Sequence, residues 1–120
     1  MGYQEIIKKV QIYSGLSDGE SKDALDCLVE TLAVRLDEAE RKQFATNLPE
    51  ELGDMALAVY PSDENSKPDI LVQFMQLEQV GPTRARKDFL SAWQALKDSV
   101  NSNEIKRLRQ QLPRLNHLLR

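Results

Sequence analysis

The sequence predicts an all-α fold, and three observations carry that expectation. Apolar residues recur at helical spacing, as in Leu25, Leu28, Val29, Leu32 and Leu36 and again in Phe89, Ala92, Trp93, Leu96 and Val100. No segment alternates apolar with polar residues for long enough to form a strand. Sliding the chain by 64 residues without a gap also brings its features into register. Ile6 then falls on Ile70, Val10 on Phe74, Leu25 on Phe89, Val29 on Trp93, Leu32 on Leu96 and Leu36 on Val100. A fixed internal offset is the mark of repeated architecture. Two copies are too few for an open solenoid. The expectation is therefore about eight short-to-medium helices in two repeated four-helix halves, packed as one compact domain with approximate two-fold pseudosymmetry. Half one covers 4–58, half two 68–120, and 60–68 links them within a single domain of residues 1–120.

The elements follow in order from local chemistry. Gly15 closes a first helix of about ten residues. Ser17 and Glu20 have the spacing of a capping box, which opens a long second helix. Asp37 with Glu40, and Asn101 with Glu104, place an N-cap oxygen and a carboxylate three residues apart, and so start a third helix in each half. Leu48-Pro49 and Leu112-Pro113 then make corners. Proline is tolerated at the first helical position, where its missing N–H would have no partner. The residue before it is pushed out of helical geometry, which stops the preceding helix. The two leucines can point inward while the chain reverses into a fourth helix. "YPSDENSKP" at 60–68 is polar and bounded by proline, as a linker should be.

Composition narrows the function classes. A chain of 120 residues with 41% hydrophobic and 29% charged residues is an ordinary globular domain. One cysteine, Cys27, cannot form an internal disulfide, which suits a reducing compartment and makes the cytoplasm the expected location. The start, "MGYQEIIKK", has no apolar segment of signal-peptide type, and Ile6 stands where a myristoylation motif needs Ser or Thr. The longest apolar run, Met55 to Tyr60, is too short to span a bilayer.

The stretch "ALDCLVETLAVRLDEAERKQFATNLPEEL" (24–52) combines an alanine- and leucine-rich helix, Arg35-Leu36, an acidic step at Asp37 to Glu40 and the Leu48-Pro49 corner. In this it resembles the signature half of the bacterial domain of unknown function 2267 family. "NEIKRLRQQLPRLNHLL" (103–119) is similar to the close of that family's second half. The likeness covers roughly 4–58 and 68–120. It departs at "VGPTRARKD", where Gly81 and Pro82 replace the first half's Ser-Asp, and at Ser99-Val100, where Arg-Leu is usual. The resemblance implies an all-α prokaryotic protein and brings no catalytic residue, ligand or reaction.

No motif points to catalysis, a cofactor or a metal. His117 and Cys27 are single and lie in different halves, so neither a Cys–His pair nor a ligand cluster is spaced for. Cys27, one step off its helix's apolar stripe, reads as a partly buried inert thiol, and His117 as a residue at the rim of the core. Trp93 lies on a core stripe, and the acidic pairs at 37–40 and 50–51 suit the first turns of helices. The glycines form no phosphate-binding loop.

Charge is the feature that solvation does not explain. Residues 1–66 hold 6 Lys/Arg against 14 Asp/Glu, a net of −8, while residues 67–120 hold 10 against 5, a net of +5. Lys106, Arg107, Arg109, Arg114 and Arg120 crowd the last two helices and form the candidate partner-binding patch; Arg84, Arg86 and Lys87 open the long helix of that half. Such asymmetry suggests a partner selected by charge. The expectation is a non-catalytic interaction or regulatory module that meets an acidic protein surface, or a second copy of itself as in a homodimer, with no membrane contact. The alternative is nucleic-acid binding through the same basic half. An acidic pI of about 5.2 and few interleaved aromatics speak against that alternative. An enzyme without a recognisable motif comes third.

Overall fold

The computed structural model describes residues 2–60 and 68–119. Among the described residues eight helices follow one another: α1 (Tyr3–Ser14), α2 (Asp18–Ala33), α3 (Glu38–Thr46), α4 (Glu50–Ala58), α5 (Ile70–Glu78), α6 (Pro82–Ser99), α7 (Ser102–Gln111) and α8 (Pro113–Leu118). There is no strand among the described residues. Most of the expected linker, 61–67, lies outside them.

Two of the expected caps form in full. Ser17 Oγ accepts from the Glu20 N–H at 3.2 Å while Glu20 Oε1 accepts from the Ser17 N–H at 3.4 Å. Asp37 Oδ1 and Glu40 repeat this at 2.8 and 3.2 Å. The third does not close. Asn101 caps α7 through the Asn103 N–H at 2.8 Å, and Glu104 turns inward to 3% exposure instead of reaching back. There it accepts from Arg107 Nη1 at 3.0 Å and from Asn47 Nδ2 at 3.3 Å. A charged donor and a second donor from the end of α3 outcompete one exposed backbone N–H.

The proline corners form, with one adjustment. Pro113 occupies the first helical position of α8 as expected, after Leu112 at φ −123° and ψ 75°. Pro49 stands one place earlier, as an extended N-cap with ψ 152°. Leu48 and Leu112 are both buried, as the corner role requires. The first helix runs to 12 residues rather than about ten and ends where Gly15 takes φ 75°. That conformation costs glycine nothing.

The long helices α2 and α6 touch each other, and α1 and α5 each pack across both, so these four enclose the centre of the core. Leu32, Leu96, Val29 and Trp93 are buried there, and the Phe74 and Phe89 rings meet edge to face at 5.3 Å between α5 and α6. The pair α3–α4 leans on α2 through α4; α8 touches α7 and α5. Gly53 is required where α4 closes on α3, since a Cβ there would stand 2.9 Å from the backbone oxygen of Ala45. The whole is a compact globule of 33 × 30 × 26 Å with a radius of gyration of 13.0 Å.

Candidate functional site

Two charged features stand on the surface. The first is the basic end built by α7 and α8. Ile105, Leu108 and Leu112 face the core, which leaves Lys106 and Arg109 exposed on one flank of α7. They share a groove of about 720 Å³ with Gln110, Pro113, Asn116 and Leu119. Arg109 is held across the corner: its Nε donates to Asn116 Oδ1 at 2.8 Å, and Asn116 Nδ2 donates back to the Arg109 carbonyl at 3.2 Å. Arg107 lies on another flank, tied to buried Glu104. Arg114 is exposed in the first turn of α8 without lining the groove, and Arg120 lies outside the described residues. Of the five predicted patch residues, the fold thus joins Lys106 and Arg109 and turns Arg107 away. His117 is exposed on α8.

The second feature escaped the sequence reading. A cleft of about 990 Å³ opens between α2, the end of α4 and α5, and reaches the first turn of α6. Its α2 wall carries Glu20, Asp23, Asp26, Cys27 and Glu30, and Glu78 enters from the end of α5. Val34, Met55, Val59, Leu77 and Val80 add apolar surface, and Arg84 is the one lining cation among the described residues. Arg84 is already engaged, with Glu20 at 2.6 Å and with Asp88 at 3.3 Å. Asp26 is likewise held by Lys22 at 2.8 Å and accepts a hydrogen bond from the Tyr3 hydroxyl.

Behind the cleft, Glu78 meets Asp88, which is only 1% exposed. Burial, then the hydrogen bond and charge of Asp88, push the Glu78 carboxyl up to about 8, and Arg84 offsets only part of this. Both Glu78 oxygens and Asp88 Oδ1 are enclosed without a donor from elsewhere in the protein. The cleft also governs Cys27, whose thiol is pushed up to about 12 by burial and then by Glu78, Glu30, Asp23 and Asp26. At neutral pH that thiol is un-ionised and a poor nucleophile. Among the described residues no three His, Cys, Asp or Glu side chains converge to hold a metal ion. Nor, among the described residues, is any helix long and apolar enough to cross a membrane.

The signal for the α2 wall was present, because acids at 20, 23 and 30 recur at helical spacing opposite the apolar stripe. Nothing in the sequence announced the Glu78–Asp88 contact, which spans the Gly81-Pro82 break between two helices.

Fold and surface together define a small all-helical domain with one basic end and one acidic cleft. The chain belongs to the family of uncharacterized conserved proteins termed domain of unknown function 2267 (DUF2267), whose model matches residues 3–118. No curated protein and no solved structure matches it.

Proposed function

We propose that this chain is a non-catalytic protein-interaction or regulatory module of the bacterial cytoplasm, built from two related four-helix halves. Its basic α7–α8 end engages an acidic surface, on another protein or on a second copy of the chain. The observation that carries this reading is the charge segregation, −8 over residues 1–66 and +5 over 67–120. Exposed ion pairs contribute only about 0–1 kcal/mol each wherever they sit, so stability does not demand such a division. At physiological salt the field of the patch reaches about 8 Å, and it acts on partners that come close.

Several facts support the duplicated architecture. The only two positive-φ residues among those described are Gly15 and Gln79, 64 apart, and they end α1 and α5. The N-cap residues Ser17 and Gly81, and Asp37 and Asn101, keep the same offset. Lys9 of α1 bonds Ser99 after α6 has run its length, and their counterparts Gln73 and Arg35 also bond each other. Glu20 and Arg84 are counterparts and pair directly, as residues beside a two-fold axis would.

Sedimentation at low and high salt tests the function. The double variant Lys106→Glu, Arg109→Glu should keep its helical content and lose association, and added salt should reproduce the loss. Association that ignores both changes would refute the basic surface as the contact. Binding to non-specific DNA with a steep salt slope would support the nucleic-acid alternative instead.

A further inference from the structure

We propose that the α7–α8 corner docks on a second copy of the chain, in the groove between that copy's α3 and α4. Such docking rests on the reading that the basic end engages an acidic surface, and it names that surface. The α3–α4 groove has a volume of about 460 Å³. Ala45 and Gly53 are buried at its base, and Leu57 stands beside them at 50% exposure. Lys42, Ala45 and Thr46 line this groove, and Lys106, Arg109 and Gln110, each 64 residues further on, line the one between α7 and α8. Beyond the corners the offset is 63, and Glu50 and Gly53 match Pro113 and Asn116. The two grooves therefore share one build and differ in charge.

Their charges are complementary. Helices α3 and α4 hold five acids against two cations, a net of −3, and α7 and α8 hold four cations against one acid, a net of +3. The minority charges are already engaged. Lys42 is held by Glu38 at 3.1 Å, Arg41 is buried against the Leu36 carbonyl, and Glu104 is buried against Arg107. Glu50 and Asp54 are exposed, four residues apart on α4, and pair with no cation among the described residues. Lys106 and Arg109 are exposed three residues apart on α7. Side chains at either spacing are neighbours, with Cβ atoms about 5–6 Å apart, so the acidic and basic rows match in length. Arg109 is held ready: Nε is bound to Asn116 Oδ1 at 2.8 Å, which leaves the terminal nitrogens to face a carboxylate. Leu57 then meets Pro113 and Leu119, the apolar residues of the opposite groove. Each copy offers one groove of each kind, so the contact forms from this protein alone.

Sedimentation of the whole chain at up to about 1 mM and low salt tests this, since open ion pairs make weak contacts that salt screens. The wild type should self-associate. Two charge reversals, Lys106→Glu with Arg109→Glu and Glu50→Lys with Asp54→Lys, should each weaken self-association at least about tenfold. An equimolar mixture of the two reversed chains should associate again, because the unaltered grooves fit each other and so do the reversed ones. The neutral variants Glu50→Gln and Asp54→Asn should each weaken association about two- to fivefold, and they keep the test open if a reversal damages the fold, which circular dichroism checks. A wild type that stays monomeric overturns the proposal and leaves the basic end to another protein. Association lost on reversing α7 but not α4, or a mixture that stays apart, overturns the paired grooves and keeps the basic end as the contact. Association untouched by either reversal overturns both readings.

Discussion

Helix α1 lies on α6, and α5 lies on α2, yet one of these seams is closed and the other is a cleft. In the first, the Tyr13 hydroxyl donates to Asp98 and Lys9 reaches Ser99 at 3.4 Å. On the proposed 64-residue correspondence, Tyr13 and Asp98 become Leu77 and Val34, two aliphatic residues that cannot bridge and that line the cleft instead. α1 accordingly packs on α6 more extensively than α5 does on α2, and at 12 residues against 9 it is the longer helix. The lesson is that two seams with the same helix order acquire different uses through a few side chains. The first seam carries a Tyr13–Asp98 bridge with no counterpart in the second, which among the described residues keeps only the Arg35–Gln73 bond and lies open along the acidic wall of α2.

The fourth helices differ in a second way. Buried Leu52 lies three residues beyond Pro49, whereas buried Leu115 lies two beyond Pro113. The 64-residue register therefore slips by one after the corners, in step with the shift of Pro49 to the N-cap. Gly53 lets α4 close against α3, while α8 has no glycine and touches α7 less extensively. The looser pair is the one that carries Lys106 and Arg109.

Five substitutions put this comparison at risk. The largest effect should come from the matched pair Leu32→Ala and Leu96→Ala. Both side chains are wholly buried, so each should cost about 2–5 kcal/mol, within a single urea transition if both segments share one core. Two separate transitions would break the shared-core picture. Next, Gly53→Ala should cost about 1–3 kcal/mol, because its Cβ would press on the Ala45 backbone oxygen rather than on a side chain that can swing away. An unchanged melting temperature would mean that α4 can shift outward as α8 has.

The smallest effect has the opposite sign. Gly15 and Gln79 hold the same left-handed conformation, at φ 75° and φ 61°, and glutamine does so with a Cβ that glycine lacks. Gln79→Gly should stabilise by about 0.5–1 kcal/mol, the relief of strain being partly offset by the entropy glycine loses on folding. Gly15→Gln should destabilise by a similar amount. If neither changes the urea midpoint, the two helix ends do not share the conformation that supports the duplicated plan.

Helix positions and inward faces were legible in the sequence because they depend on near neighbours. Periodicity at Leu25 to Leu36 and Phe89 to Val100, glycine at 15, the boxes at Ser17 and Asp37 and the two Leu-Pro corners each act within a few residues. Asn101 shows where that reasoning stops. Its spacing to Glu104 satisfied the local rule, and the outcome turned on Asn47 arriving from 57 residues away. The basic patch is a different case, since composition counted Arg107 with Lys106 and Arg109 while one helical step turns it to a different flank, where it pairs with buried Glu104.

The sequence by itself determined the all-helical class, the core-facing leucines and aromatics, and the division of charge along the chain. Those are properties of spacing and composition. Only the tertiary structure decided that Glu78 should be pushed up by burial and by Asp88, that Arg84 should be used up by Glu20 and Asp88, and that α2 and α5 should stand apart around an acidic cleft. Charge–charge and desolvation energies depend on distance through space and on what excludes water. Neither quantity exists until the helices have packed.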